Sequence, residues 1–121
     1  MVSPPPTLLI VDEHAAMRAG LRALLTGVWA IVGMAADGAE ALYRAGQLRP
    51  QVVLLASRLP TVESQTVAQA IKACRPETRT VLLALYPHEC MATPSAGVDV
   101  CLLKGCSRQE LLAAIGLGLT E

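Results

Sequence analysis

Five short apolar runs recur along the chain, and the segments between them carry helical periodicity. No other feature restricts the fold as strongly. The runs are Thr7–Val11, Ala30–Ala35, Gln51–Leu55, Thr80–Leu85 and Val98–Leu103. Each is too short for a stable helix and rich in Val, Leu and Ile, which suits strands buried on both faces. From Ala15 to Thr26, Met17, Leu21, Leu24 and Leu25 fall at helical spacing, with Arg18 and Arg22 opposite and Gly27 as a stop. Gly38 to Gln47 predicts a second helix after the Asp37-Gly38 turn, with Leu42 and Ala45 inward. Thr66 to Cys74 predicts a third, closed by Arg75-Pro76. Ser107 to Leu117 predicts the last, with Ser107 and Glu110 at capping-box spacing.

Strands alternating with helices imply a parallel sheet, right-handed crossovers and helices on both faces. Five strands fit the doubly wound, flavodoxin-like order 2-1-3-4-5, whose crevice lies beyond the carboxyl ends of strands 1 and 3. The most apolar run, Gln51–Leu55, belongs at the sheet centre. A length of 121 residues predicts one domain over 7–119, preceded by an extended leader over 1–6. With 2% aromatics and no Phe, its core must be aliphatic.

Charge and cysteine usage narrow the function. Ten Lys and Arg balance ten Asp and Glu with no basic stripe, which argues against direct nucleic-acid binding. No apolar run reaches the roughly 18 to 20 residues that span a bilayer. The start, Met-Val-Ser-Pro-Pro-Pro, lacks a signal-peptide pattern, so a cytoplasmic location is expected. Cys74, Cys90, Cys101 and Cys106 form no Cys-x-x-Cys pair and lie far in sequence from His14 and His88, which disfavours zinc. In that compartment they are expected to stay reduced and act as small hydrophobes, Cys101 within its strand above all.

The topology gathers separated residues at the strand tips. Asp12 and Glu13 follow strand 1, Ala56 ends strand 3, and Ala84 lies near the end of strand 4 with Tyr86 two residues on. Lys104 follows strand 5, before Gly105. Leu8 to His14, Ala36 to Leu42, Arg49 to Pro60 and Gly97 to Lys104 with Glu110 to Ile115 occur in an order and spacing that resemble NarL/FixJ-type response-regulator receivers, which are CheY-like, over residues 8 to 117. The resemblance implies an acidic pair that holds Mg²⁺, an aspartate that accepts a phosphoryl group, a Ser or Thr that binds the phosphoryl oxygen, and a lysine. Asp12 and Glu13 match the pair and Lys104 the lysine. The nucleophile position holds Ala56 and the hydroxyl position holds Ala84; a slip to Leu85 leaves it equally without a donor. The aromatic switch position falls on Tyr86.

Those departures predict a degenerate site. Two carboxylates facing one ammonium leave a formal charge of about −1, so Lys104 is free to pair with Asp12 or Glu13, and any Mg²⁺ site at Asp12 and Glu13 is weak. Ser57 has no placed base to activate it and reads as a turn-capping loop residue; His14 reads as a solvated loop residue. Tyr86 reads as a half-buried packing residue. Pro87 and Pro94 predict that the helix after strand 4 shrinks to one or two turns or to loop. The expected function is a phosphorylation-independent signalling module, not an enzyme and without a cofactor. Its partner would be another protein or a second copy, met through the last helix, strand 5 and the segment before it. Self-association would use Leu111, Leu112, Ile115, Leu117 and Leu119. Any DNA binding would belong to another part of a longer transcriptional regulator. The alternative is a vacated pocket that takes a small molecule or anion near Lys104.

Overall fold

The apolar runs pair into one parallel sheet. The structure is a computed structural model that describes residues 5–91 and 97–116. In chain order its elements are β1 (Thr7–Val11), α1 (Ala15–Leu25), β2 (Ala30–Ala35), α2 (Gly38–Leu48), β3 (Val52–Ala56), α3 (Ser64–Cys74), β4 (Arg79–Ala84), α4 (Pro87–Met91), β5 (Val100–Leu103) and α5 (Arg108–Gly116). The sheet order is β2-β1-β3-β4-β5, the doubly wound, CheY-like arrangement. β3 is central and every one of its residues is buried.

Strand alternation splits the core in two. Leu8 and Ile10 of β1, Val52 and Leu54 of β3, and Val81 and Leu83 of β4 meet Leu21 and Leu25 of α1 and Leu111 and Ile115 of α5. Leu9, Val11, Val53, Leu55 and Leu82 face Ala41 and Ala45 of α2 and Val67, Ala68 and Ile71 of α3. The small residues on α2 and α3 let those helices lie close to the sheet. Trp29 is buried in the first layer, the one large aromatic in an otherwise aliphatic core.

The expected capping box opens α5: Ser107 N–H donates to Glu110 Oε1 (2.9 Å) and Glu110 N–H to Ser107 Oγ (3.0 Å). Some boundaries differ from expectation for local reasons. β4 ends at Ala84, and Leu85 leaves the sheet exposed. β5 starts at Val100, because Asp99 is diverted into a polar clasp, pairing with Lys72 Nζ at 2.6 Å and accepting Thr80 N–H at 2.8 Å. Leu24, expected inward, is largely exposed on α1. Residues 1–4 of the leader, residues 92–96, and Leu117 and Leu119 lie outside the described residues. Among the described residues no helix is long and apolar enough to cross a membrane.

The cysteine expectation is overturned. Cys90 and Cys101 form a disulfide with their Cα atoms 5.5 Å apart, and only Cys74 and Cys106 are free thiols. The position of α4 brings Cys90 over the edge strand β5. Sequence spacing alone does not reveal that approach.

Candidate functional site

Asp12 leaves β1 with its backbone N–H still donating to Ala35 O (3.0 Å), which fixes the residue at the sheet's carboxyl edge. Its side chain is almost fully buried. Oδ1 accepts the His14 N–H at 2.9 Å, and Oδ2 lies 2.8 Å from Lys104 Nζ. Burial works to raise the carboxyl pKa, but the Lys104 ammonium and the hydrogen bond from His14 N–H outweigh it and hold Asp12 below the usual carboxylate range. His14 itself is 70% exposed, with Nδ1 3.3 Å from the same carboxylate. Glu13 is exposed and has no hydrogen bond or ion pair among the described residues. Lys104 thus takes Asp12, not Glu13, as its partner.

The lysine is aimed by its backbone. Its N–H donates to Ala84 O at 2.8 Å, extending the β4–β5 ladder by one residue, and Gly105 then turns the chain with φ +91°. The two strands between β1 and β5 each end in a buried alanine. Ala56 ends β3, paired in register with Leu83, and its carbonyl accepts Ser64 Oγ at 2.5 Å. Ala84 ends β4 opposite Leu103 and is fully buried.

A five-stranded 2-1-3-4-5 sheet whose tips gather Asp12, Ala56, Ala84 and Lys104 has a counterpart among known proteins: the response regulator receiver domain matches residues 8–116. The chain belongs to the response regulator receiver family. It is 28% identical over 114 residues to response regulator GacA of Pseudomonas protegens, covering 91% of this chain and 54% of the relative. It is 32% identical over 122 residues to the transcriptional regulatory protein NarL of Mycobacterium tuberculosis, covering 95% and 56%. The solved signal receiver domain of that NarL superposes with a TM-score of 0.84 at 32% identity, over 93% of this chain and 94% of the other. The chain spans about half the length of the curated relatives it matches.

In this receiver a second polar centre, which the sequence did not reveal, joins the tips of β3 and β4. Glu89 Oε1 accepts Ser57 Oγ (2.9 Å), Leu85 N–H (2.8 Å) and Tyr86 N–H (3.2 Å), while Oε2 accepts Arg58 Nε (2.8 Å). Burial works to raise its pKa, but Arg58, the two backbone N–H groups and Ser57 together bring it down to about 2. Ser57 is therefore a tie between two loops, not the expected cap of its own turn. Tyr86 is 51% exposed and stacks against Arg58 (5.4 Å) and His88 (5.7 Å). A signal for Glu89 existed. Pro87 at the first helical position and Glu89 at the third match a helix start in which the glutamate reaches back to the capping N–H.

Proposed function

We propose that this receiver acts without accepting a phosphoryl group, as an interaction module held in one state by its own side chains. The observation that carries this reading is the 2.8 Å pair between Lys104 and Asp12 at a strand end where position 56 is alanine. Alanine offers no nucleophile at that tip, and Ala84 offers no hydroxyl to a phosphoryl oxygen. The ammonium that would meet an incoming phosphate already neutralises a buried carboxylate.

Mg²⁺ does not fit this donor set. The ion requires several oxygen ligands in near-octahedral array. Here one oxygen of Asp12 is committed to Lys104, the other accepts from His14, and Ala56 supplies nothing. Among the described residues no group of three or more His, Cys, Asp and Glu side chains converges as a metal site.

Output would come from protein contact, with another protein or a second copy, in the cytoplasm. By likeness to the named transcriptional regulator, the domain is read as the receiver part of a gene regulator whose DNA contacts lie in another domain. An anion gate near Lys104 is less well supported. A cleft of about 260 Å³ runs beside Lys104, but Met17, Leu21, Leu24, Leu83 and Leu111 make it apolar, and its one cation is engaged.

Incubation with a small phosphodonor and Mg²⁺, followed by intact-mass measurement, tests the proposal. The expected result is an unchanged mass. A phosphoryl adduct, or a Mg²⁺-dependent rise in thermal stability, would refute it.

A further inference from the structure

Two neighbouring side chains tie α4 to the strand tips and to the edge strand. α4 is described over Pro87–Met91, and two adjacent residues of it carry long-range ties. Glu89 fastens it to the tips of β3 and β4 through four donors, and the adjacent Cys90 fastens it to β5 through Cys101. Both ties fall within one turn, so they are not independent. The disulfide restricts where α4 can lie, which lowers the entropy lost when the Glu89 carboxylate seats between Ser57, Arg58 and the Leu85 and Tyr86 N–H groups. Both cysteines are half-buried, neither sealed fully in the core.

We propose that Cys90–Cys101 is a thiol–disulfide exchange site for a dithiol reductant, and that its reduction releases Glu89 from the tips of β3 and β4. The inference rests on the reading of this receiver as one not switched by phosphate; it supplies a different input to the same strand tips. The chemistry is ordinary exchange. A thiolate of the dithiol attacks one sulfur and displaces the other as a thiolate, and the S–S bond breaks as a mixed disulfide forms. The second thiol of the reductant then attacks its own mixed-disulfide sulfur. The reductant leaves as a disulfide, and its two electrons and two protons end on Cys90 and Cys101 as thiols. The Glu89 contacts of α4 are then left without the cross-link to β5.

The test uses the whole chain, ¹⁵N-labelled and purified without reductant. Alkylation with intact-mass readout should count two free thiols before dithiothreitol and four after. Amide exchange should quicken at least tenfold at Leu85 and Tyr86 on reduction, with the Glu40 N–H, held likewise by the side chain of Asp37 at the start of α2, unchanged. C90S/C101S should exchange fast at both sites with or without dithiothreitol, and E89Q should do so while still oxidised. Four free thiols after treatment with a mild oxidant would overturn the proposal. So would unchanged exchange at Leu85 and Tyr86 in protein shown by mass to be reduced, or loss of protection spreading to the Glu40 N–H. If C90S/C101S does not fold, the reduced wild-type chain carries the test alone. A phosphoryl adduct in the separate phosphodonor experiment would refute the phosphate-independent reading and leave the redox measurement standing.

Discussion

Replacing Lys104 with Met keeps the aliphatic stem and deletes the ammonium, which isolates the charge that holds Asp12. The Asp12 side chain is 2% exposed and that of Lys104 17%. Removing one partner of a buried pair typically costs about 3–5 kcal/mol, because the other charge stays buried. Here the His14 N–H still serves Oδ1 and the ammonium is not fully dry, so the expected loss is about 2–3 kcal/mol. Against a total stability of roughly 6–18 kcal/mol for a chain of this size, that loss is readily measured. Urea unfolding at pH 7 should show the midpoint falling with an unchanged slope. The thermal midpoint should fall by roughly 6–12 °C. D12N/K104M, which removes both charges, should recover at least half of the loss. The pH dependence has a definite sign. In the wild type Asp12 has a depressed folded pKa, so its contribution is present at neutral pH and disappears as pH falls through that value. In K104M burial dominates and the pKa rises, so acid should protonate Asp12 and shrink the penalty. A K104M protein within about 0.5 kcal/mol of wild type, or a penalty that grows in acid, would refute the argument.

Ala56→Asp should bury a new carboxylate beside the Asp12–Lys104 pair and destabilise the fold by about 1–3 kcal/mol; differential scanning fluorimetry should show Mg²⁺ restoring stability in A56D and not in wild type. Glu89 has a folded pKa of about 2 against an ordinary value of 4.5, so its contribution is complete above about pH 4.5 and lost as pH falls through about 2. E89Q should therefore flatten the acid limb of the stability profile, and an unchanged acid limb would exclude the four-donor geometry. C90S/C101S removes a cross-link spanning a sequence separation of 11, which the chain-entropy model values at about 3 kcal/mol; chemical denaturation without reductant measures it directly.

What could be read from the sequence follows the range of the physics involved. Strand order and the row of tips at Asp12, Ala56, Ala84 and Lys104 were legible because alternating buried strands and crossover helices allow few topologies. The Ser107–Glu110 box was legible because it is local. The ties of Glu89 to Ser57 and Arg58 and the Cys90–Cys101 bond were not, since each depends on where α4 settles over the sheet edge. Ser57 and Glu89 are 32 residues apart, and nothing in either neighbourhood announces the other. The same limit explains Leu24. Periodicity placed it near the apolar face of α1, but Leu21 and Leu25 already fill the available core.

The Asp12–Lys104 pair joins β1 to β5, which are not neighbours. With β3 and β4 between them, three usual strand spacings separate the two chains, roughly 14 Å. A long lysine stem can cross that distance only if nothing stands in its path. Along their strands Asp12, Ala56 and Lys104 continue the parity of Ile10, Leu54 and Leu102, so position 56 lies on the face that the pair crosses, beside its register partner Leu83. The small side chain there is then a requirement of the pair as well as the absence of a nucleophile. Ala56→Leu, which adds bulk without charge, should split the ion pair and cost about 2–4 kcal/mol from overpacking and the stranded carboxylate together. In that background K104M should cost less than about 1 kcal/mol further, because the interaction it removes is already gone. Urea unfolding of the two single variants and the double variant reads the coupling. Costs that add to within about 0.5 kcal/mol would show that position 56 is off the path of the stem and that its alanine plays no part in holding the pair.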